Sequence, residues 1–370
     1  MLRKRIKTRP SHSVLGILGF LSVFLILVYS EVAIESVRRG MELCAATVIP
    51  SLFPFMVASE LVVSGGGAGR FCGMLGTLSK KLFGVSSEGA SSFLLGTLCG
   101  FPVGTRSAVG LFKRGAIGKE ELLRLICFSN SPSSAFVINA VGATLFGNKR
   151  LGIVLYVITL LSSVTVGIAQ KFIFPTIAND TQYVEAEKKA SIYDGSVFAA
   201  SVTNAATAML HVCAFVVFFS VIGGVVGEIL SSFGVTEYLR AVIFSFLELT
   251  GGVSASAALR PLINGVPIAA FALGWSGFSV HLQIISICSG CSLRFGRYFL
   301  SKLLSGVINV ILICPCLMIF GKAIAPDSES MGALFMYTEK SGMLSVAVTA
   351  LFLLSLLLAL IFSVKRKIKY

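Results

Sequence analysis

The segment Ser91–Gly115, SSFLLGTLCGFPVGTRSAVGLFKRG, limits the possible folds more than any other stretch. It contains two apolar arms of about 12 residues on either side of Gly100-Phe101-Pro102-Val103-Gly104, whereas a helix needs about 20 apolar residues to cross a bilayer. Because Pro102 lacks a backbone N–H and glycine accepts unusual backbone angles, a continuous helix should break there. A break at membrane depth is tolerated only beside protein or a water-filled cavity. The segment therefore predicts a re-entrant helical hairpin over 91–115 whose tip lies near a polar site.

The chain as a whole is predicted to be an all-α, polytopic membrane helical bundle. Of its 370 residues 55% are hydrophobic and only 13% are charged, whereas a soluble domain carries about 25% charged residues. The apolar runs are long and do not alternate, which disfavours a transmembrane β-barrel. The net charge of +14 lies largely at the chain ends and in short loops. These positions are typical of basic residues that set the orientation of a membrane protein and contact the lipid bilayer. No nucleic-acid partner is expected.

Both chain ends carry basic clusters beside apolar runs. We expect a retained N-terminal transmembrane helix over 1–30 and a C-terminal transmembrane helix over 342–364. By the positive-inside rule, both termini of this multi-pass cell-membrane protein should lie in the cytoplasm. The polar stretch NDTQYVEAEKK predicts a soluble loop over 176–195, which is the best boundary between two halves.

The two halves resemble each other weakly. Leu95–Gly104 can be aligned with Leu273–His281, with position 277 placed on position 100. Cys44–Glu60 can be aligned with Cys213–Glu228, with position 213 placed on position 44. Paired interrupted apolar segments in corresponding halves indicate a transporter-type binding site. Chance matching among glycine-rich apolar segments is the alternative.

The alignment predicts an internal repeat of two gate-like units, 31–175 and 196–325. Each unit would contain one re-entrant hairpin, and the second hairpin would lie at 264–288. The second hairpin differs from the first at its tip, where Ser279 replaces Pro102 and His281 replaces Gly104.

Four motifs together resemble the YlbJ family of sporulation integral membrane proteins: IPSLFPF at 49–55, CGFPVG at 99–104, SNSPSS at 129–134 and ELTGG at 248–252. The resemblance covers roughly residues 35–325. This family is grouped with the nucleoside-recognition, or gate-domain, membrane proteins. The resemblance implies a protein of sporulating cells that is needed for a resistant spore and is associated with movement of dipicolinate, a small dianionic pyridine.

Arg106 is a cation in an apolar segment, two residues beyond the predicted hairpin tip. A helix N-terminus offers free N–H groups and a partial positive charge, and arginine can bind a carboxylate with two hydrogen bonds. Together they suit a small organic anion. The alternatives are an arginine paired with a nearby glutamate and one that extends to the membrane interface.

Three further groups complete the predicted site. The Ser/Asn-rich break at 129–134 offers unwound carbonyls and small polar side chains, or alternatively packs helices together. Glu248 could carry a proton, coordinate a cation or form a structural salt bridge with Arg106 or Arg240. His281 could titrate, or be a satisfied interior residue. The predicted substrate-binding residues are Gly100, Phe101, Gly104, Thr105, Arg106, Ser129, Asn130, Ser131, Ser134, Glu248, Thr250, Ser279, His281 and Gln283.

These features predict a transporter of a small organic or heteroaromatic anion. The alternatives are a nucleoside-type solute carrier and a non-transporting membrane scaffold for spore-envelope assembly; a homo-oligomer is compatible with each. No nucleophile–base constellation or phosphate-binding loop is evident, so we do not expect an enzyme or a cofactor. The pairs Cys288/Cys291 and Cys314/Cys316 have no second pair or histidine at metal spacing, so no metal site is expected.

Overall fold

The computed structural model describes residues 10–64, 76–175 and 195–324. Every regular element in this part of the chain is helical, as the sequence predicts. The predicted C-terminal helix at 342–364, residues 1–9 of the predicted N-terminal helix and residues 176–194 of the predicted loop at 176–195 lie outside the described residues. The elements are α1 (Pro10–Val28), α2 (Ser30–Leu43), a π turn (Cys44–Val48), α3 (Ile49–Ser64), α4 (76–83), α5 (Ser87–Cys99), α6 (Val103–Lys113), α7 (Lys119–Phe128), a π-helix (Phe136–Leu145), α8 (Lys149–Ile173), α9 (Gly195–Ser232), α10 (Glu237–Leu247), α11 (Leu249–Ala258), a 3₁₀ turn (Leu262–Asn264), α12 (Gly265–Trp275), α13 (Gly277–Ile287) and α14 (Gly296–Ile324).

Five helical runs in the described ranges are long and apolar enough to cross a bilayer. A multi-pass, all-α membrane bundle is therefore confirmed. The runs are Ser30–Val62, Lys149–Ile173, Ser196–Ser232, Gly265–Ile287 and Gly296–Met318.

The first predicted hairpin is formed by α5 and α6, which pack antiparallel. The Ser92 and Ser107 hydroxyls are hydrogen-bonded across the two arms at 3.0 Å. Nearer the tip, a Cβ added to Gly96 would lie 3.0 Å from Gly104 Cα. At the tip, Gly100 has a φ of 84°, which lies in the left-handed region that favours glycine. The helical hairpin is observed, and its re-entry into a bilayer stays a prediction.

The second hairpin is not at 264–288, where the sequence alignment puts it. α10 and α11 are the antiparallel pair, since a Cβ on Gly252 would lie 2.5 Å from Ser245 Cα. Glu248 turns the chain between them with an extended backbone, φ −150° and ψ 134°. α12 and α13 instead form one apolar run that is interrupted at Ser276. The alignment was wrong because Gly277 marks a break inside a spanning run, not the tip of a hairpin.

Each half contains the same order of elements: a hairpin, a broken helix and a long helix. The first half has α5/α6, then α7 and the π-helix around the break at 129–133, then α8. The second half has α10/α11, then α12 and α13 around Ser276, then α14.

The starting positions of corresponding helices in the two halves differ by a nearly constant number of residues. Position 103 corresponds to 249, 119 corresponds to 265, and 149 corresponds to 296. The sequence alignment instead pairs 100 with 277 and 44 with 213, so its register differs from the structural one.

Close packing at the first hairpin predicts a sharp difference between two glycines of α6. A Cβ on Gly104 would overlap the Ser129 carbonyl oxygen, whereas a Cβ on Gly110 would have its nearest neighbour at 3.9 Å, the end of Arg114. Gly104→Ala should cost about 1–3 kcal/mol because the hairpin must move away from the break. Gly110→Ala should be neutral or slightly stabilising, since alanine favours helices.

Thermal unfolding of the purified protein in detergent, followed by the reaction of its buried cysteines with a thiol-reactive dye, measures both effects. An equal apparent Tm for the two variants would contradict the packing described.

Candidate functional site

The tip of the first hairpin is bound to the break in the α7/π-helix run. The Phe101 N–H donates to the Ser131 carbonyl oxygen at 2.9 Å. A Cβ on Gly100 would lie 2.7 Å from the Ser133 backbone nitrogen, so only glycine allows this approach. The break is needed because unwound backbone at Ser131 frees the carbonyl that the tip uses.

A buried polar network lies behind this contact. The Thr105 hydroxyl donates to Asn130 Oδ1 at 2.6 Å, and Asn130 Nδ2 donates to the Ile126 carbonyl at 2.8 Å. The Ser131 and Ser163 hydroxyls are 2.7 Å apart. The network locks the unwound segment to α6 and α8, because each buried polar group needs a partner.

Lys302 of α14 supplies a cation to the same break. Its Nζ donates to the Asn130 carbonyl oxygen at 2.7 Å, and the residue is only 3% exposed. None of the ion pairs among the described residues includes Lys302. The Asn130 carbonyl follows the C-terminus of α7, where the helix dipole favours positive charge. Lys302 therefore satisfies a backbone carbonyl of the first break from within the protein.

The tip of the second hairpin lies against the second break. A Cβ on Gly277 would lie 2.9 Å from Glu248 Cα, and Trp275 Nε1 donates to the Phe246 carbonyl at 3.2 Å. Glu248 caps α11, because its Oε2 accepts the Gly251 N–H at 2.6 Å. Ser276 has a φ of 77°, a left-handed conformation that is unusual for serine. A hairpin tip thus contacts a helix break in each half.

A narrow central cavity of about 40 Å³ lies where the two tips and the two breaks meet. It has room for a few water molecules. Phe101, Pro132 and Ser133 line it from the first half. The second half contributes Glu248, Thr250, Ser279 and Gln283, and the long helices α3 and α9 close it with Leu52, Val212 and Val216.

Two wide cavities flank the central one. The first, of about 620 Å³, is lined by Glu60, Arg106, Lys113, Arg114 and His211, and we call it the basic vestibule. Arg106 NH2 lies 2.9 Å from Glu60 Oε1 at its wall.

The second wide cavity, of about 780 Å³, contains four carboxylates and two arginines, and we call it the acidic vestibule. The carboxylates are Glu31, Glu35, Glu228 and Glu248, and the arginines are Arg39 and Arg240.

Neighbouring cavities share lining residues, so they form a series of adjoining cavities. A constriction of about 20 Å³ shares Arg106 and His211 with the basic vestibule. It shares Val212 and Gln283 with the central cavity. The central cavity shares Glu248 and Thr250 with the acidic vestibule.

The predicted site residues fall into three places. Phe101, Glu248, Thr250, Ser279 and Gln283 line the central cavity, and Arg106 lies in the basic vestibule and the constriction. The buried packing behind the first tip holds Gly100, Gly104, Thr105, Ser129, Asn130 and Ser131, with Ser134 half-buried beside it.

His281 does not line any of these cavities. It contacts Trp275 at 4.3 Å between ring centroids, and its Nδ1 is 3.0 Å from the Tyr298 hydroxyl. Among the described residues, Glu248 forms no salt bridge with Arg106 or Arg240; Arg106 pairs with Glu60 instead. The role of each predicted residue in substrate binding stays a prediction.

Sequence reasoning missed Lys302 and did not identify Glu60 as the partner of Arg106. Lys302 follows Arg294 and Arg297, so it resembles one more basic residue at the start of a span. Nothing in the local sequence indicates its contact with Asn130, which lies in the other half of the chain. The available signal was a lysine well inside an apolar span, beyond the usual interface anchors.

One curated relative resembles the chain over most of its length. The sporulation integral membrane protein YlbJ of Bacillus subtilis (strain 168) is 27% identical over 320 residues, which cover 78% of each chain. This similarity supports the resemblance between the chain and the YlbJ family. No protein-family model and no solved structure matches the chain. The chain is therefore similar to a sporulation integral membrane protein, as the motifs predict, and its five apolar helical runs are those of a multi-pass membrane protein.

The Thr105–Asn130 contact predicts a stability effect in this chain. Thr105→Val keeps the side-chain shape but removes the only hydroxyl that donates to Asn130 Oδ1 in the described contacts. An unsatisfied buried acceptor should cost about 1–3 kcal/mol.

Thr165→Val is the matched control, because Thr165 is exposed and donates only to the Leu161 carbonyl of its own helix. Thermal unfolding in detergent should show a lower Tm for Thr105→Val than for Thr165→Val. Identical melting curves would show that the network does not hold the break.

Proposed function

We propose that this YlbJ-type protein carries a small organic anion of the dipicolinate class across the cell membrane. The observation that supports this most directly is the series of cavities that passes both hairpin tips and both helix breaks. Interrupted helices around a central site are characteristic of secondary transporters, in which the substrate and coupling ions bind at the breaks.

The charge of the basic vestibule favours an anion. Arg106, Lys113 and Arg114 outnumber the single carboxylate, Glu60. Arginine binds carboxylates with two charge-assisted hydrogen bonds. A carboxylate of the solute would compete with Glu60 for Arg106.

The central cavity is closed to such a solute in this conformation. Its volume of about 40 Å³ is well below the roughly 300 Å³ of a typical small-molecule site, whereas each vestibule exceeds that size. Transport therefore requires the hairpin tips to separate from the breaks. Val212 and Gln283, which line both the constriction and the central cavity, would form the narrow point that opens.

Uptake of dipicolinate into proteoliposomes tests the proposal. A lanthanide ion trapped in the lumen reports dipicolinate entry by its luminescence. Arg106→Ala should reduce uptake at least tenfold, since a charge-assisted hydrogen bond is worth about 1.5–3 kcal/mol. Arg38→Ala is the matched control, because Arg38 is an exposed arginine that pairs with Glu35 on the surface of α2.

The alternatives predict different results in the same vesicles. Uridine that competes with dipicolinate would favour a nucleoside-type carrier. Absence of flux for either solute, under several imposed ion gradients, would support the scaffold and contradict transport. Equal uptake by Arg106→Ala and Arg38→Ala would contradict the assigned role of Arg106.

A further inference from the structure

We propose that the second helix break contains a binding site for a small monovalent cation, formed by Glu248, Ser279 and Gln283. A role of this cation in driving solute movement rests on the proposed transport function. The binding itself does not, because each observation below concerns the protein without solute.

Unpartnered oxygens mark the site. Ser279 Oγ and Gln283 Oε1 make no hydrogen bond in the structure, although the two residues are only 1% and 5% exposed. Both residues line the central cavity. Since buried polar atoms are nearly always paired, two unpaired oxygens on residues that line one cavity indicate a ligand that the oxygens would bind.

Glu248 supplies the negative charge. The residue is 9% exposed and lines the same cavity. Its Oε2 accepts the N–H of Gly251, and no ion pair in the described ranges includes it. A carboxylate in a membrane protein must be paired, protonated or hydrated, so a bound cation would satisfy both Glu248 and the neutral oxygens.

The first break is the counterpart of this site in the other half of the chain. There the unwound carbonyl of Asn130 already receives a positive charge, the ammonium group of Lys302. When the start of α8 at 149 is aligned with the start of α14 at 296, the position that corresponds to Lys302 is the buried Leu155. The second break therefore has no built-in cation from the equivalent long helix, and it has a carboxylate in addition.

The size and composition of the cavity define the class of cation. A volume of about 40 Å³ suits an ion with a few waters and excludes an organic solute. Oxygen ligands suit hard cations, and dedicated divalent sites usually provide several carboxylates. One carboxylate with neutral oxygens therefore favours a monovalent ion such as Na⁺. The acidic vestibule adjoins the site, because Glu248 and Thr250 line both cavities.

A natural reporter lies beside the site. Trp275 is the single tryptophan of the chain and immediately precedes the break at Ser276. Its Nε1 donates to the Phe246 carbonyl, two residues before Glu248. Occupation of the site should change the environment of this indole, so the intrinsic fluorescence of the unlabelled protein reads out binding.

The experiment titrates the full-length protein in detergent with NaCl, without organic solute, while choline chloride keeps the ionic strength constant. The wild-type protein should show a saturable change in Trp275 fluorescence, and KCl should produce a weaker response. Glu248→Gln should weaken the apparent Na⁺ affinity at least tenfold while keeping an oxygen that can accept the Gly251 N–H. Gln283→Leu, a second variant at the site, should weaken it as well.

Glu228→Gln is the matched control, because Glu228 is an exposed carboxylate in the acidic vestibule and does not line the central cavity. It should keep the wild-type Na⁺ affinity.

A wild-type signal that does not saturate, or that is the same in choline, would overturn the proposal. A signal that responds to pH and not to Na⁺ would also overturn it and assign a proton to Glu248. Saturable Na⁺ binding without solute flux would leave this site intact and contradict the transport proposal alone.

Discussion

The structure depends on how the protein satisfies backbone polar groups where its helices stop inside an apolar bundle. An interrupted helix leaves N–H and C=O groups that cannot be left unpaired in a low-dielectric interior. In each half a hairpin tip approaches a break closely. In the first half the tip also supplies a partner, because the Phe101 N–H donates to the Ser131 carbonyl, whereas in the second half the Glu248 tip lies against Gly277. The requirement for pairing thus gathers four discontinuities around one small cavity.

The two halves share this architecture but differ in charge. The first break receives a buried ammonium group from Lys302 and is filled by the Thr105–Asn130–Ser131 network. The second break has a carboxylate, Glu248, and oxygens of Ser279 and Gln283 without partners. A satisfied break favours a fixed structure, whereas an unsatisfied one favours a ligand. This asymmetry makes the second half the more suitable place for an exchangeable ion, and the basic vestibule around Arg106 the more suitable place for an organic anion.

Much of the fold could be predicted from local features of the sequence. The length of the apolar runs indicated the helical membrane bundle, and Gly100 with Pro102 located the first hairpin. The second hairpin was misplaced because the alignment followed glycines, and Gly277 serves a break while Glu248 forms the tip. Of the predicted site, Phe101, Glu248, Thr250, Ser279 and Gln283 do share a cavity. His281 instead packs among Trp275 and Tyr298.

The sequence by itself determined that the chain is a helical membrane bundle, where the first hairpin turns and which polar groups are embedded among apolar ones. These properties follow from hydrophobic run length, from proline and glycine, and from the cost of burying charge. Only the tertiary structure decided which groups are partners. Arg106 meets Glu60 of α3, and Lys302 meets Asn130 from the opposite half of the chain. Contacts between residues so far apart in the chain arise from the packing of long helices, which no local pattern of residues specifies.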